Sequence, residues 1–328
     1  MGKDWISVVW LGFVLFATPL AVRAAGSESG ATARHAAPTL VKWQNAPLLA
    51  VARADTRLIA VGVRGLIIVS DDEGQSWRQI PSDSDVTLTS ITFVSFKIGF
   101  AVGHESTILR TDDAGLTWRV TNADPDGVAL LRIRFVDATR GFVTGGGGTL
   151  LATSNGGDSW VQTIVTTKED EFDPQLHDIA RVSDGRLIAA GEAGYLFRSA
   201  DGGASWNELV SPYVGTFFGL LSLGGSKIIA YGMLGHVFLS SDAGDSWIEL
   251  ATGINQSIFD AVATDDYIYL GGADGVLAIA AQPKIGRFDL RSVTGRPTIG
   301  GLLSVPTGLF AATDRGLEVI QASTFNHN

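Results

Sequence analysis

The chain has 328 residues, of which 40 are Gly, 10 are Pro, 8 are Trp and none is Cys. The absence of Cys excludes disulfides, zinc–thiolate and iron–sulfur sites, cysteine nucleophiles and a lipidated cysteine. Lys and Arg number 24 against 34 Asp and Glu, and this net charge of −10 argues against nucleic-acid binding, which needs clustered cations. The combination of many Gly with eight Trp needs an explanation from the order of the residues.

Residues 1–24 have the features of a secretory signal peptide. Lys3 supplies a positive charge, an apolar run follows from Ile6 to Ala17, and Val22 and Ala24 suit a cleavage site. The apolar run is at the short limit for spanning a bilayer, so we expect cleavage, with retention as an anchor as the alternative. Residues 25–39 are small and polar and are expected to form a flexible leader. Export to the periplasm is predicted.

Five segments share the pattern S/T-x-D/N-x-G-x-S/T-W. They are SDDEGQSW (70–77), TDDAGLTW (111–118), TSNGGDSW (153–160), SADGGASW (199–206) and SSDAGDSW (240–247). A second element, G-x-x-G between two apolar runs, precedes each of these boxes. It recurs, with two degenerate copies, at Gly62/Gly65, Gly103/Ser106, Gly145/Gly148, Gly191/Gly194, Gly232/Gly235, Gly272/Gly275 and Thr313/Gly316. The chain therefore contains seven repeats within residues 40–324, and residues 325–328 are a short tail.

Each repeat is predicted to form four short strands separated by glycine-containing turns. Four strands per repeat without helical periodicity indicate an all-β fold, a single seven-bladed β-propeller of four-stranded blades. The seventh repeat ends without a fourth strand, whereas Val41-Lys42-Trp43-Gln44 before the first repeat resembles the strand that carries Trp elsewhere. We therefore expect this N-terminal strand to complete blade seven and to close the ring.

The residues that recur in all five boxes are expected to be structural. The Asp or Asn side chain can accept hydrogen bonds from its own turn, and the indole can fill the space beside it. These structural residues are Asp72, Trp77, Asp113, Trp118, Asn155, Trp160, Asp201, Trp206, Asp242 and Trp247. Calcium binding by neighbouring carboxylates such as Asp71 and Asp72 is the alternative. The five His lack metal-ligand spacing, so neither a metal nor a cofactor is expected.

These boxes resemble the Asp-boxes, or BNR repeats, of sialidases, xyloglucanases, sortilin-type receptors and the photosystem II stability/assembly factor family. The last family is the most similar, because its blades carry G-x-A-V-G-x-x-G-x-I-L-R-T-x-D-x-G-x-T-W, which resembles residues 100–118 and 59–77. The resemblance implies a non-enzymatic assembly factor that acts on the precursor of the D1 subunit on the lumenal side. In a non-photosynthetic host it implies another envelope complex, such as an exporter, as the client.

Candidate binding residues lie in the loops between second and third strands and in the connections between blades, which share one face of a propeller. They are Arg64, His104, Glu105, Glu192, Arg291, Arg296 and Arg315. Arg64, Arg291, Arg296 and Arg315 are expected to form a basic sector. Glu169, Asp170, Glu171, Asp173 and Glu192 are expected to form an acidic sector, and together the sectors would orient a partner. Ordinary solvated loop charges are the alternative.

The sequence therefore predicts a non-enzymatic exported scaffold, monomeric, that binds a membrane-protein client and no nucleic acid. In a photosynthetic host the compartment would be the thylakoid lumen. The alternative is an Asp-box glycoside hydrolase, either sialidase-like or xyloglucanase-like. The chain lacks the F-R-I-P motif of sialidases, for which the Arg-Ile-Arg-Phe run at residues 132–135 is a poor substitute. Two carboxylates at the separation that glycosidases require could still meet on the acidic sector.

Overall fold

The computed structural model describes residues 35–165, 167, 173–182, 184–282 and 284–321. The predicted signal peptide, the tail at 325–328, and Glu169, Asp170 and Glu171 of the acidic sector lie outside these residues. Within the described part, the strands form seven antiparallel sheets, each built from consecutive strands of the chain. No helix in this part is long and apolar enough to cross a membrane.

The strands are numbered along the chain and grouped by their position in the blade. The first strands are β1 (Leu48–Ala54), β5 (Leu88–Phe93), β9 (Leu130–Phe135), β13 (Leu176–Arg181), β17 (Phe217–Ser222), β21 (Ile258–Ala263) and β25 (Ile299–Val305). The second strands are β2 (Arg57–Gly62), β6 (Gly99–Gly103), β10 (Gly141–Gly145), β14 (Leu187–Gly191), β18 (Ile228–Gly232), β22 (Tyr267–Gly272) and β26 (Gly308–Thr313).

The third strands are β3 (Ile67–Ser70), β7 (Ile108–Thr111), β11 (Thr149–Thr153), β15 (Leu196–Ser199), β19 (Val237–Ser240), β23 (Val276–Ala281) and β27 (Gly316–Gln321). The fourth strands are β4 (Arg78–Ile80), β8 (Arg119–Asn122), β12 (Val161–Ile164), β16 (Asn207–Glu208), β20 (Ile248–Glu249) and β24 (Asp289–Ser292). Short 3-10 segments lie at Trp43–Asn45, Val63–Gly65, Glu192–Gly194, Met233–Gly235 and Ala273–Gly275.

The first strands contact one another in a closed cycle in which β1 meets β25, so the seven blades surround a central channel. The apolar core lies between neighbouring blades. For example, Ile59 and Val69 of blade one share a cluster with Leu88 and Leu109 of blade two. A blade exposes two faces, and stacking in a ring buries both, which explains the almost continuous apolar second strands. The predicted all-β, seven-bladed propeller is confirmed.

The closure of the ring differs in one detail from the prediction. Among the described residues, blade seven has three strands, and the segment expected to supply its fourth strand forms the 3-10 turn Trp43–Asn45 beside β27. The backbone N–H groups of Asn45 and Ala46 bond back to Lys42 and Trp43 at 3.3 and 3.0 Å. Because these donors are used locally, they cannot pair with β27, and the segment covers the edge of the blade without extending its sheet.

The described end of the predicted leader is bound to blade one. The N–H of Ala37 donates to the carbonyl of Ser82 at 2.9 Å, and the side chain of Gln79 bonds the carbonyl of Pro38 and the N–H of Leu40 at 2.9 and 3.0 Å. Residues 37–40 therefore run along the outer strand of this blade, in contrast to the flexible leader expected from composition.

Candidate functional site

The ring has two structurally distinct ends. At one end, here called the Asp-box end, each box turn lies beside a hairpin joining first and second strands, as in the bond from Ala114 N to Lys97 O at 2.9 Å. At the other, here called the loop end, each loop between second and third strands meets a connection between blades, as in the bond from Gly65 N to Val86 O at 2.7 Å. This division matches the arrangement expected from the sequence.

The Asp-box side chains make their hydrogen bonds inside their own turns. In the second blade, the carboxylate of Asp113 accepts from Thr117 N at 2.9 Å, Leu116 N at 3.0 Å, and the hydroxyls of Thr111 and Thr117 at 2.8 and 2.7 Å. Asn155 makes the uncharged version, accepting from Ser159 N at 3.0 Å and donating to the Ser159 hydroxyl at 2.9 Å. The same turn thus forms with or without a charge.

Hydrogen bonds to these carboxylates stabilise their ionised forms. Those from the side chain and backbone of Ser246 lower the pKa of Asp242 to about 2, and Ser76 and Ser205 do the same for Asp72 and Asp201. Within the described residues, no group of three or more His, Asp or Glu is placed to hold a metal ion. In the part of the chain that the structure describes, the hydrogen-bond donors to these box carboxylates all belong to the box itself.

The box glycine lets each turn touch the preceding blade. A Cβ on Gly157, whose φ is +86°, would lie 2.3 Å from the ring of Phe100, and one on Gly203 would lie 2.6 Å from that of Phe142. The indole N–H of Trp118 donates to the carbonyl of Gly115 at 3.1 Å, which holds the ring beside this contact. The boxes therefore join neighbouring blades, and the Trp residues complete the joint.

The predicted binding residues are spread over the loop end. Arg64, His104, Glu105, Arg296 and Arg315 are exposed there. The guanidinium of Arg296 lies 3.6 Å from the Asp274 carboxylate, and that of Arg315 donates to the carbonyl of Gly295 at 2.9 Å. Arg296 and Arg315 therefore both lie at the connection between blades six and seven. The Asp274 carboxylate balances part of the charge of the predicted basic sector.

Two predicted binding residues have a more structural setting. Arg291 belongs to strand β24, where it pairs with Leu277, so its assignment to an inter-blade connection was wrong. In this sixth repeat residues 280–288 do not keep the box pattern, and the strand runs for four residues after them. Glu192 accepts a hydrogen bond from the backbone N–H of Gln175 at 2.9 Å. Glu192 thereby ties its loop to the connection that enters blade four, on which Asp173 is exposed.

A recurring β-bulge, which sequence reasoning missed, surrounds the channel at the loop end. In every blade the first and third residues of the first strand pair with adjacent residues of the second strand, so that the residue between them is extra. The bulge brings the backbone close to the first Gly of G-x-x-G, since a Cβ on Gly232 would lie 2.1 Å from the carbonyl oxygen of Thr216. The seven bulge residues, here called the mouth ring, are Leu49, Thr89, Leu131, His177, Phe218, Phe259 and Gly300.

The mouth ring lines a cavity of about 470 Å³ that opens at the loop end. Three of its members form an aromatic arc on consecutive blades, with ring centroids 5.3 Å apart for His177 and Phe218 and 5.1 Å for Phe218 and Phe259. Burial lowers the pKa of His177, so the ring is neutral near pH 7. A cavity of this size with mostly apolar walls has the properties of a ligand or side-chain binding site.

Below the mouth ring, a cluster of charges spans the channel. Asp178, fully buried, accepts from Nε and Nη2 of Arg134 at 3.1 and 3.0 Å and from the backbone N–H of Leu220 at 3.1 Å. Arg132 is held more loosely, with 3.8 Å to Asp178 and 3.4 Å to Asp260. Arg132 lines both the mouth cavity and a second cavity of about 720 Å³ farther along the channel, so it divides the two.

The ionisation of this cluster follows from its pairing. Burial alone would raise the pKa of Asp178, but the charges of Arg134 and Arg132 outweigh it and hold that pKa below its usual range. The charge of Asp178 raises the pKa of Arg134. Burial raises the pKa of the Tyr231 hydroxyl, which occupies the space that a side chain on Gly219 would need. Asp178 and its two arginines thus remain ionised, and the formal charges of the two arginines and two aspartates in the cluster cancel.

Comparison with known proteins identifies similar propellers. Residues 116–273 match the family model described as "Photosynthesis system II assembly factor YCF48". The chain is 18% identical to a structure described as "YCF48 bound to D1 peptide", with a TM-score of 0.66 over 87% of this chain and 93% of that one. It is 14% identical to "YCF48 from Cyanidioschyzon merolae", with a TM-score of 0.67 over 86% and 97%.

A WD40 β-propeller domain of Doa1 is also similar, at 12% identity and a TM-score of 0.68 over 86% of this chain and 94% of that one. No curated protein matches by sequence. At these identities the structural similarity shows the fold, while the family model adds the resemblance carried by the repeats themselves. The resemblance to the photosystem II assembly factor family predicted from the boxes is confirmed.

Proposed function

Because the chain is a photosystem II assembly factor-like seven-bladed propeller, we propose that it is a non-enzymatic scaffold that binds a membrane-protein client at its loop end. The observation that carries this proposal is the mouth cavity, an open and largely apolar site surrounded by exposed loops. A similar propeller has been described with a bound D1 peptide, which supports a protein segment as the ligand class. The client is the D1 precursor in a photosynthetic host and another envelope complex, such as an exporter, elsewhere.

The location of the protein is part of the proposal. The signal-like residues 1–24 support export to the periplasm or, in a photosynthetic host, to the thylakoid lumen. The scaffold acts as a monomer without a metal or cofactor, and its net charge of −10 disfavours nucleic acid as a partner. The charged loops around the mouth, including Arg64 and Arg315, orient the client on approach.

The carboxylates in the channel do not favour the glycosidase alternative. A glycosidase needs one carboxylic acid with a raised pKa to protonate the leaving group. The pKa of Asp178 is instead lowered by two arginines, and the carboxylate has no solvent-exposed surface. Asp260 lies beside Arg132 and accepts from the backbone N–H of Leu302 at 2.7 Å. These contacts suit a structural ion cluster at the floor of a binding cavity.

The test is capture of the client from the protein's own membranes. Residues 25–328 carrying an affinity tag are crosslinked to solubilised membranes, and the recovered proteins are identified by mass spectrometry. We expect enrichment of one membrane complex and its loss in the double variant Arg64→Glu/Arg315→Glu. The matched control Lys97→Glu/Lys227→Glu reverses two exposed cations at the Asp-box end and is expected to retain the client. Equal recovery with all three proteins, or turnover of fluorogenic glycosides by the wild type, would contradict the proposal.

A further inference from the structure

We propose that the mouth cavity receives one aromatic side chain of the client, seated over Gly300 between Phe259 and Leu49. This inference rests on the proposed scaffold function and specifies the chemistry that its central site recognises. Three features of the cavity carry it, namely the aromatic arc, the missing side chain in blade seven and the paired charges at the floor.

The aromatic arc ends abruptly at blade seven. The rings of His177 and Phe218 meet at 81° and those of Phe218 and Phe259 at 54°, within the range of edge-to-face and tilted aromatic pairs. The next position around the mouth ring is Gly300, followed by the aliphatic Leu49 of blade one. An incoming ring beside Phe259 would continue the arc by the same kind of contact that joins its existing members.

Gly300 interrupts the circle of mouth-ring side chains at blade seven. It is the one member of the mouth ring without a side chain, so the cavity extends down to its backbone. A Cβ added there would lie 3.2 Å from the carbonyl oxygen of Leu49, so even a methyl group would be crowded against the backbone of blade one. Thr298 and Asp314 form the rim above this position, joined by a hydrogen bond of 2.9 Å from the Thr298 N–H to the Asp314 carboxylate. The seat therefore has a backbone floor, a ring on one side and Leu49 on the other.

The charges at the floor favour a neutral ring over a charged group. Arg132 is the member of the charge cluster that lines the mouth cavity, and it already lies 3.8 Å from Asp178 and 3.4 Å from Asp260. A ligand carboxylate would lose its water and then compete with these two partners, and a ligand ammonium would be repelled by the guanidinium. Arg132 lines the cavity and presents a cation, which attracts the electron-rich face of an aromatic ring more than an aliphatic side chain. Aromatic anchors in central pockets are also a common source of binding energy between proteins.

The test uses capped amino acids as probes. N-acetyl-tryptophanamide, N-acetyl-phenylalaninamide and N-acetyl-leucinamide are titrated into residues 25–328 with 13C-labelled leucine methyl groups. We expect the aromatic amides to shift the methyl signals of Leu49 and Leu131 and to bind at least about fivefold more tightly than the leucine amide. Equal affinity for all three amides, or shifts confined to other leucines, would overturn the proposal.

Two substitutions remove the seat by opposite means. Phe259→Ala deletes the wall and Gly300→Ala places a methyl group on the floor, and each is expected to weaken the aromatic amide at least about fivefold. Having both keeps the test decisive if one variant folds poorly. The matched control is Phe96→Ala, which removes a ring that is 63% exposed outside the mouth ring and is expected to leave binding unchanged. Unchanged binding in folded Phe259→Ala and Gly300→Ala proteins would contradict the seat.

Client capture separates this inference from the function on which it rests. If the wild type and Phe259→Ala recover the same client equally, the aromatic seat is wrong as a client site, although the scaffold function stands. If the aromatic amide binds at Leu49 and Leu131 but the wild type recovers no client, the scaffold function fails, and the site belongs to a small aromatic ligand. Loss of the client in Phe259→Ala together with loss of amide binding supports both.

Discussion

The Asp-box turns and the mouth ring both recur around the propeller, but the box turns share their side chains whereas the mouth ring shares only its backbone conformation. The box turns repeat their side chains, with an Asp or Asn accepting from Ser or Thr in all five blades that carry a box. The mouth ring repeats its backbone, a bulge in all seven blades, while its side chains range from Gly to Phe. Uniform side chains build the ring, and varied side chains on a uniform backbone create a specific cavity.

The same contrast appears in the way charge is used. The box carboxylates are at least partly exposed and accept hydrogen bonds from their own turn, so each is an independent local element. The channel carboxylates Asp178 and Asp260 link five blades, three to seven, through Arg132, Arg134 and the backbone N–H groups of neighbouring first strands. Changes in the channel should therefore affect the whole ring, whereas changes in one box should affect mainly one joint between blades.

The largest effect is expected from Asp178→Asn. The substitution leaves Arg134 and Arg132 without their shared counter-charge inside the channel, and we expect a loss of about 3 kcal/mol in the free energy of unfolding. Guanidinium denaturation followed by tryptophan fluorescence measures it. A loss no greater than that caused by a single box substitution would break the distinction between channel and boxes.

A smaller effect is expected from Asp260→Asn. The amide oxygen of Asn can still accept from Leu302 N, and Arg132 keeps Asp178 as a partner, so we expect a loss of about 1 to 2 kcal/mol. The same denaturation experiment measures this variant beside Asp178→Asn. If Asp260→Asn were the more destabilising of the two, Arg132 rather than Arg134 would be the principal partner in the cluster.

Among the boxes, Asp113→Ala is expected to lower the free energy of unfolding by about 1 kcal/mol. This is comparable to the loss of a helix-capping side chain that accepts backbone N–H groups. The neighbouring Asp112 provides a matched control, because it is half exposed and, among the described residues, its side chain pairs with Arg110 and Arg119 and accepts no backbone N–H. Asp112→Ala is expected to cost less than about 0.5 kcal/mol. Equal losses would show that charge, and not the turn hydrogen bonds, is what the box contributes.

The smallest effect at neutral pH is expected from the triple variant Asp72→Asn/Asp201→Asn/Asp242→Asn, because Asn155 already forms the same turn without a charge. The wild-type carboxylates have a pKa of about 2 in the folded protein. In the unfolded chain it is about 3.9. Their contribution is therefore present above about pH 4 and is lost as the pH falls towards 2.

Acid denaturation between pH 5 and 2 tests this prediction. The triple variant should lose less stability than the wild type over the window from about pH 4 to 2, since three of the groups that take up protons on unfolding are absent. A triple variant with the same acid transition as the wild type would assign that transition to other groups, Asp178 among them.

The sequence was sufficient to predict the propeller because its evidence is periodic and local. A box turn is eight residues long, its hydrogen bonds join residues two to four apart, and Gly and Trp occupy the same places in each copy. The exposed candidates Arg64, His104 and Arg315 were also placed at the loop end correctly from strand order alone. Errors occurred where periodicity weakened, in the segment Trp43–Asn45 and at Arg291, which lies in the sixth repeat, where no box pattern is present.

The sequence by itself therefore determined the number of blades, the end of the ring at which each loop lies and the role of the repeated residues. Only the tertiary structure decided what lies at the axis. Leu49 and Gly300 are 251 positions apart in the chain yet line one cavity, and Arg132 meets Asp178 and Asp260 from two other blades. Ring closure produces these contacts. The residues that make them do not recur as one residue type at the same position of each repeat, so the sequence shows no pattern that would reveal them.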